Sequence, residues 1–228
     1  MNHITALIMA AGTGERFGAD EPKQFHRLGG RPVLIWAAGA FSSCPAVDGL
    51  VLVVPPGLED RTAALVREHQ LRKVEAIVSG GAARQESVRL GLAAVLAATE
   101  YVLVHDAARP CVAAGLIDRI CTALNDHDAV IPTIPVIDTL VLELDGAVDA
   151  TLDRSRISCV QTPQGFRADS LDRAHRRAAA RGLESSDDGS LILAMGERVK
   201  TVPGDPANIK ITYPADLKIA ETILAAGG

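Results

Sequence analysis

Several features are scarce in this 228-residue chain, and each scarcity narrows what it does. There is no surplus of basic residues: 23 Lys and Arg stand against 28 Asp and Glu, a formal net charge of −5. The broad positive footprint of a nucleic-acid binder is therefore missing, although a few local cations would still suffice for a small anionic substrate. No apolar segment reaches the roughly 18 residues of a membrane span, and no charged leader with an apolar core opens the chain. A cytoplasmic protein with no membrane partner is expected. The four cysteines, Cys44, Cys111, Cys121 and Cys159, form no C-x-x-C pair, which predicts reduced thiols packed as small apolar groups. The six histidines show no ligand spacing, so a metal would be held mainly by oxygen, as magnesium is and zinc is not.

What is present is an alternation. Apolar, β-branched runs at Ile4–Met9, Leu50–Val54, Val74–Val78, Tyr101–Val104 and Ala129–Ile134 read as strands. Amphipathic segments near residues 32–43, 58–70, 83–98 and 114–125 read as helices between or after them. This predicts an α/β fold with a mainly parallel sheet, right-handed crossovers and ligands at the carboxyl ends of the strands. The length suits one domain over residues 1–228. Further on, helices are predicted near 168–181 and 187–195, strands at Arg198–Val202 and within Asn208–Thr212, and a last helix opening at Pro214. One segment breaks the rhythm: Thr139–Leu144 and Ala147–Leu152 flank Asp145-Gly146, a two-residue hairpin signal. A two-stranded ribbon with Leu140, Leu142 and Leu144 on one face needs cover, from its own domain or from a second subunit. The pattern leaves both open.

Candidate chemistry begins directly after the first strand. Met9-Ala-Ala-Gly-Thr-Gly-Glu-Arg-Phe-Gly18 is a glycine-rich exit whose amides would face an anion, with Arg16 and Lys23 close behind. The glycines match neither the dinucleotide fingerprint nor the phosphate-loop pattern, and alone they fit a plain turn equally well. The paired cations favour phosphates. His105-Asp-Ala-Ala-Arg-Pro110 follows another strand, where Asp106 is a candidate magnesium ligand and Arg109 a candidate anion clamp. The alternative is a helix-capping Asp106 beside a solvated Arg109. His105 reads as packed and hydrogen-bonded. Gly80 and Gly81 end a third strand, with Arg84, Ser87 and Gly91 on one face of the helix beyond. Lys210 on a short strand, Arg154 beside Asp153, a turn at Thr162-Pro-Gln-Gly165 and a helix cap at Ser186-Asp-Asp188 each decide little alone.

Taken in order, AAGTGERFG with PKQF, GGAARQESV, VHDAARP, DTL with the later DR, TPQGF and NIKIT resemble the 2-C-methyl-D-erythritol 4-phosphate cytidylyltransferases of the non-mevalonate isoprenoid pathway. The resemblance runs from about residue 8 to 217. It implies a Rossmann-like nucleotidyltransferase fold with a protruding β-arm at about 137–157, through which two chains form a homodimer. It thereby assigns the hairpin to the partner subunit. It implies CTP and methylerythritol phosphate as substrates and Mg2+ as cofactor, bound at Asp106. Arg16 and Lys23 resemble the family's transition-state stabilisers, and Arg154 and Lys210 the pair that positions the sugar phosphate. Ala10, Ala11, Gly12, Gly81, Ser87, Asp106 and Ala107 fall around the nucleotide. Arg109, Thr139, Arg154, Thr162 and Ser186 fall around the acceptor. Two positions depart from the family pattern: Ser186 stands for an expected threonine, and Ala82 where some relatives carry an acid. A cytidylyltransferase for another acceptor, such as ribitol 5-phosphate, would share these loops.

Overall fold

In a computed structural model, residues 3–12, 17 and 21–226 are described. Twelve strands and seven α-helices alternate along the described residues. In chain order they are β1 (Ile4–Met9), β2 (Arg27–Leu28), β3 (Arg31–Pro32), α1 (Val33–Ser43), β4 (Gly49–Val54), α2 (Glu59–Glu68), β5 (Val74–Ser79) and α3 (Arg84–Ala93). There follow β6 (Tyr101–Asp106), α4 (Ala114–Ala123), β7 (Ala129–Pro135), β8 (Leu140–Leu144), β9 (Ala147–Leu152), β10 (Ser158–Val160) and β11 (Gln164–Arg167). The chain closes with α5 (Ala168–Arg181), α6 (Asp188–Ala194), β12 (Lys200–Pro203) and α7 (Ala215–Ala226).

The main sheet runs in the order β10-β7-β11-β6-β1-β4-β5, with β12 added on β7. β1 lies parallel to β4 and β6, and β4 to β5, so the predicted parallel core is present. β11 enters antiparallel between β6 and β7, and β10 pairs antiparallel with the far side of β7. The strand alternation of β1 explains the layering. Ala6, Ile8 and Ala10 point into one core with Leu34, Phe41 and Ile117, whereas Leu7 and Met9 point into another with Val88, Phe166 and Leu171. Helices thus cover both faces, and all six residues of β1 are buried.

Three expectations need correction. The Thr162–Gly165 segment is not merely a turn, because Gln164 and Gly165 open β11. Gly165 permits this: a Cβ there would meet Ile120 Cγ2 and Leu124 Cδ1 at 2.8 Å, so α4 lies almost on the strand backbone. Asn208–Thr212 is not a strand, since it has no ladder partner and its tie to the strand end is Ile211 N–H donating to Ala108 O at 2.8 Å. Finally, Cys44, Cys111 and Cys121 are buried as expected, but Cys159 on β10 is exposed.

The hairpin is present and stands apart. β8 and β9 pair with each other and with no other described strand, across a turn with φ of +51° at Asp145 and +77° at Gly146. Positive φ at both central residues matches the right-handed strand twist, which is why Asp-Gly serves here. Its apolar side chains are left uncovered: Leu144 is 63% exposed and Val148 66% exposed.

Candidate active site

The carboxyl ends of β1 and β6 are adjacent by register, Met9 opposite Asp106, and Ala107 N–H donates to Met9 O at 3.0 Å. This pairing brings the start of the glycine-rich exit (Ala10, Ala11, Gly12) against Asp106. Arg16 lies outside the described residues. Gln24, which sequence reasoning passed over, closes the exit from below. It is 2% exposed, and its amide donates to Ala10 O and, at 3.1 Å, to Gly12 O. The signal was its place in PKQF beside Lys23, whose Nζ donates to Ile211 O at 2.9 Å.

A third strand end joins from β5. A Cβ on Gly80 would stand 2.2 Å from Ala11 Cβ, so glycine lets the two exits touch. Gly81 N–H donates to Ser87 Oγ at 3.0 Å, and the Ser87 hydroxyl donates to Ala83 O at 3.0 Å, folding the loop onto the first turn of α3.

Asp106 is the electrostatic centre. Lys210 Nζ sits 2.7 Å from its Oδ2, and Arg84 Nε 3.4 Å from its Oδ1. Burial raises its carboxyl pKa, but the charges of Arg84, Lys210 and Arg109 outweigh it and hold the group well below the usual carboxylate range. The carboxylate is therefore ionised at neutral pH. Arg109 contributes from beside it, with Nη1 donating to Asn208 O at 2.8 Å.

Behind Asp106 lies a chain of hydrogen bonds whose directions can be worked out. His105 Nε2 is 3.1 Å from Arg109 O, and a carbonyl only accepts, so Nε2 carries the hydrogen. Asp106 N–H donates to Thr162 Oγ1 at 3.1 Å, leaving the hydroxyl hydrogen for His105 Nδ1 at 3.0 Å. A neutral His105 satisfies every member. Burial lowers its pKa to about 4, with Asp106 and the hydrogen bonds only partly opposing. His105 is thus the packed residue the sequence suggested, and Thr162, itself buried, holds the Asp106 backbone.

The remaining candidates lie farther out. Ser186 is exposed beside Asp187, whose side chain caps α6 by accepting from Ser190 N–H at 3.1 Å. Thr139 and Arg154 are exposed on the arm, where Arg154 Nη1 donates to Ile137 O. No hydrogen bond or ion pair among the described residues joins these two to Asp106 within one chain.

A parallel sheet whose strand ends gather backbone amides, an ionised carboxylate and several cations is the arrangement of a nucleotidyltransferase. The comparisons agree. The family model described as 2-C-methyl-D-erythritol 4-phosphate cytidylyltransferase matches residues 4–226. The chain is 44% identical over 222 residues to the Symbiobacterium thermophilum protein of that name, covering 97% of this chain and 92% of that one. It is also 44% identical over 229 residues to the bifunctional enzyme IspD/IspF of Rhodospirillum rubrum, covering 100% of this chain but spanning 59% of that protein's length. Among solved structures, the 2-C-methyl-D-erythritol 4-phosphate cytidylyltransferase of Thermus thermophilus superposes with a TM-score of 0.81 at 36% identity, covering 99% and 100% of the two chains. The chain belongs to the 2-C-methyl-D-erythritol 4-phosphate cytidylyltransferase family.

Proposed function

We propose that the Asp106 crevice is where this cytidylyltransferase joins the cytidylyl group of CTP to 2-C-methyl-D-erythritol 4-phosphate, releasing pyrophosphate. The reaction follows from family membership and supplies isoprenoid precursors. The observation that carries its location is the convergence of Arg84, Lys210 and Arg109 on one ionised carboxylate beside the glycine-lined exits of β1 and β5.

The acceptor's phosphate oxygen attacks the α-phosphorus in line. A phosphate monoester is already anionic, so no general base is needed, and His105, neutral with both ring nitrogens engaged, is not one. The obstacle is that two anions must approach each other while further charge develops on the α-phosphoryl and leaving groups. Positioning and fixed positive charge lower that barrier. Arg16 and Lys23 stabilise the transition state. Lys210 and Arg154 place the acceptor phosphate, with Arg109, Thr139 and Ser186 around the sugar and Thr162 behind it. Ala10, Ala11, Gly12, Gly81, Ser87 and Ala107 surround the nucleotide, with open space beside the Gly12 backbone.

Among the described residues no cluster of three or more His, Cys, Asp or Glu side chains could hold a metal unaided. Magnesium characteristically takes one or two carboxylates, several waters and substrate phosphates, and the ionised Asp106 at the crevice fits that donor set. Bound there, Mg2+ would neutralise triphosphate charge.

The β8–β9 arm, with Leu144 and Val148 uncovered, suits a second copy of the chain. Each active site would then take Thr139 and Arg154 from the neighbouring protomer of a homodimer. One catalytic unit with the arm at 137–157 describes the chain. No described helix is long and apolar enough to cross a membrane, and phosphorylated substrates suit a cytoplasmic site. Pyrophosphate release with CTP and methylerythritol phosphate, with and without magnesium, tests the reading. Turnover with ribitol 5-phosphate but not with methylerythritol phosphate would overturn it.

A further inference from the structure

A second carboxylate lies next to the crevice, one that the motifs did not single out for chemistry. Asp188, the first residue of α6, has a side chain 1% exposed. Its Oδ1 lies 2.9 Å from Nε2 of His175 on α5, which is equally buried. Its Oδ2 lies 2.8 Å from Arg84 Nη1, close but off the hydrogen-bond direction, so this contact is an ion pair. Arg84 also reaches Asp106 through Nε. One guanidinium therefore spans two carboxylates brought from different parts of the chain.

A second tether runs alongside. Gln85 Nε2 donates to Leu183 O at 3.1 Å, and Ser185 N–H donates to Gln85 Oε1 at 3.2 Å. The segment before α6, which carries Ser186, is thus fastened to the first turn of α3. An uncompensated buried carboxylate is costly, so Asp188 is tolerated only while Arg84 and His175 stay in place. Conversely, a planar guanidinium anchored at both Nη1 and Nε cannot swing away, whereas an ammonium in its place has no second arm.

We propose that Asp188, oriented by His175, is a positioning residue that holds Arg84 against Asp106, so that Arg84 meets nucleotide phosphate from a fixed place. This rests on the crevice being the nucleotide site. Misplacing a charge in a phosphoryl-transfer site by about 1 Å costs on the order of 10²-fold in rate.

A double-mutant cycle over Arg84→Gln and Asp188→Asn tests it. Asp188→Asn should lower kcat about 10- to 100-fold in the native background but less than about 3-fold when Arg84 is already Gln. Equal losses in both backgrounds would overturn the proposal and make Asp188 a structural residue. Should Asp188→Asn fail to fold, Arg84→Lys at the half-buried position serves: native kcat there would equally overturn it. The same cycle measured as CTP affinity by calorimetry, with no acceptor present, needs no turnover. Loss of coupling there sinks the positioning role, whereas coupled CTP binding without methylerythritol phosphate turnover sinks only the acceptor assignment.

Discussion

Acidifying the metal-free protein from about pH 7.5 to about pH 4.5 should cost it stability through His105, because the unfolded chain binds a proton there that the folded chain refuses. The imidazole is wholly buried, and its neutral tautomer satisfies Thr162 and Arg109 O together. An ordinary histidine titrates at 6.5 and this one at about 4. At 1.36 kcal/mol for each pH unit, that gap amounts to about 3 kcal/mol. The sign follows from proton counting. Between the two values the unfolded state holds more protons, so the contribution is complete above 6.5 and is lost as pH falls towards about 4. Urea midpoints at several pH values would show it, since a loss of about 3 kcal/mol moves the midpoint by roughly 1 M or more. Other groups titrate too, so the comparison is with His105→Gln, which lacks the titrating ring. The variant should start less stable but decline less steeply. Parallel pH curves for the two proteins would refute the reasoning, tautomer assignment included.

Other outcomes concern the site and the arm. Lys23→Ala should lose on the order of 10²–10³ in kcat, as deletion of a fixed oxyanion donor does, while the thermal midpoint barely moves. Near-native turnover would remove Lys23 from the mechanism. Leu144→Asp should shift the chain towards monomer in sedimentation equilibrium, and mixing Lys23→Ala with Arg154→Ala chains should recover activity through hybrid dimers. No recovery after confirmed subunit exchange would speak against a shared site.

The parallel core was readable because β1, β4 and β6 are buried on both faces, which forces continuous apolar runs, and a glycine-rich exit, a Pro55-Pro56 pair and a carboxylate mark where they end. β10 and β11 were not readable. They are three and four residues long, polar in part, and extended because neighbours in the sheet supply partners. The reverse error arose at Asn208–Thr212, where alternating Ile209 and Ile211 look like a strand. Burial of Ile211 against Val33 and Leu28 produces the same alternation without a ladder. Asp106, Arg109 and Lys210 could be picked out because each sits in a charged motif at a predicted strand end. The Arg84–Asp188 link could not, since helix-capping sequence explains Asp188 locally and only the packing of α5, α6 and α3 brings the pair together. Gln24 was marked only by its place in PKQF, because the two backbone carbonyls its amide answers are brought to it by packing.

Charge counting around Asp106 argues for help from outside the crevice. Arg84, Arg109 and Lys210 bear on Asp106, and Asp188 takes part of Arg84, which leaves about one positive charge in surplus. A triphosphate and a phosphate monoester together bring roughly six negative charges near neutral pH. In the proposed mechanism the balance is supplied by Arg16 and Lys23, by the cation that accompanies CTP, and by Arg154 of a neighbouring arm. These sources are separable if Arg154 serves the acceptor as proposed, since among the described residues its hydrogen bond goes to Ile137 O on the arm. Arg154→Ala should therefore raise KM for methylerythritol phosphate and lower kcat, while CTP affinity measured without acceptor stays within about 2-fold of native. A comparable loss of CTP affinity would mean that the arm cation serves the triphosphate instead, and the division of labour between the two protomers would have to be redrawn.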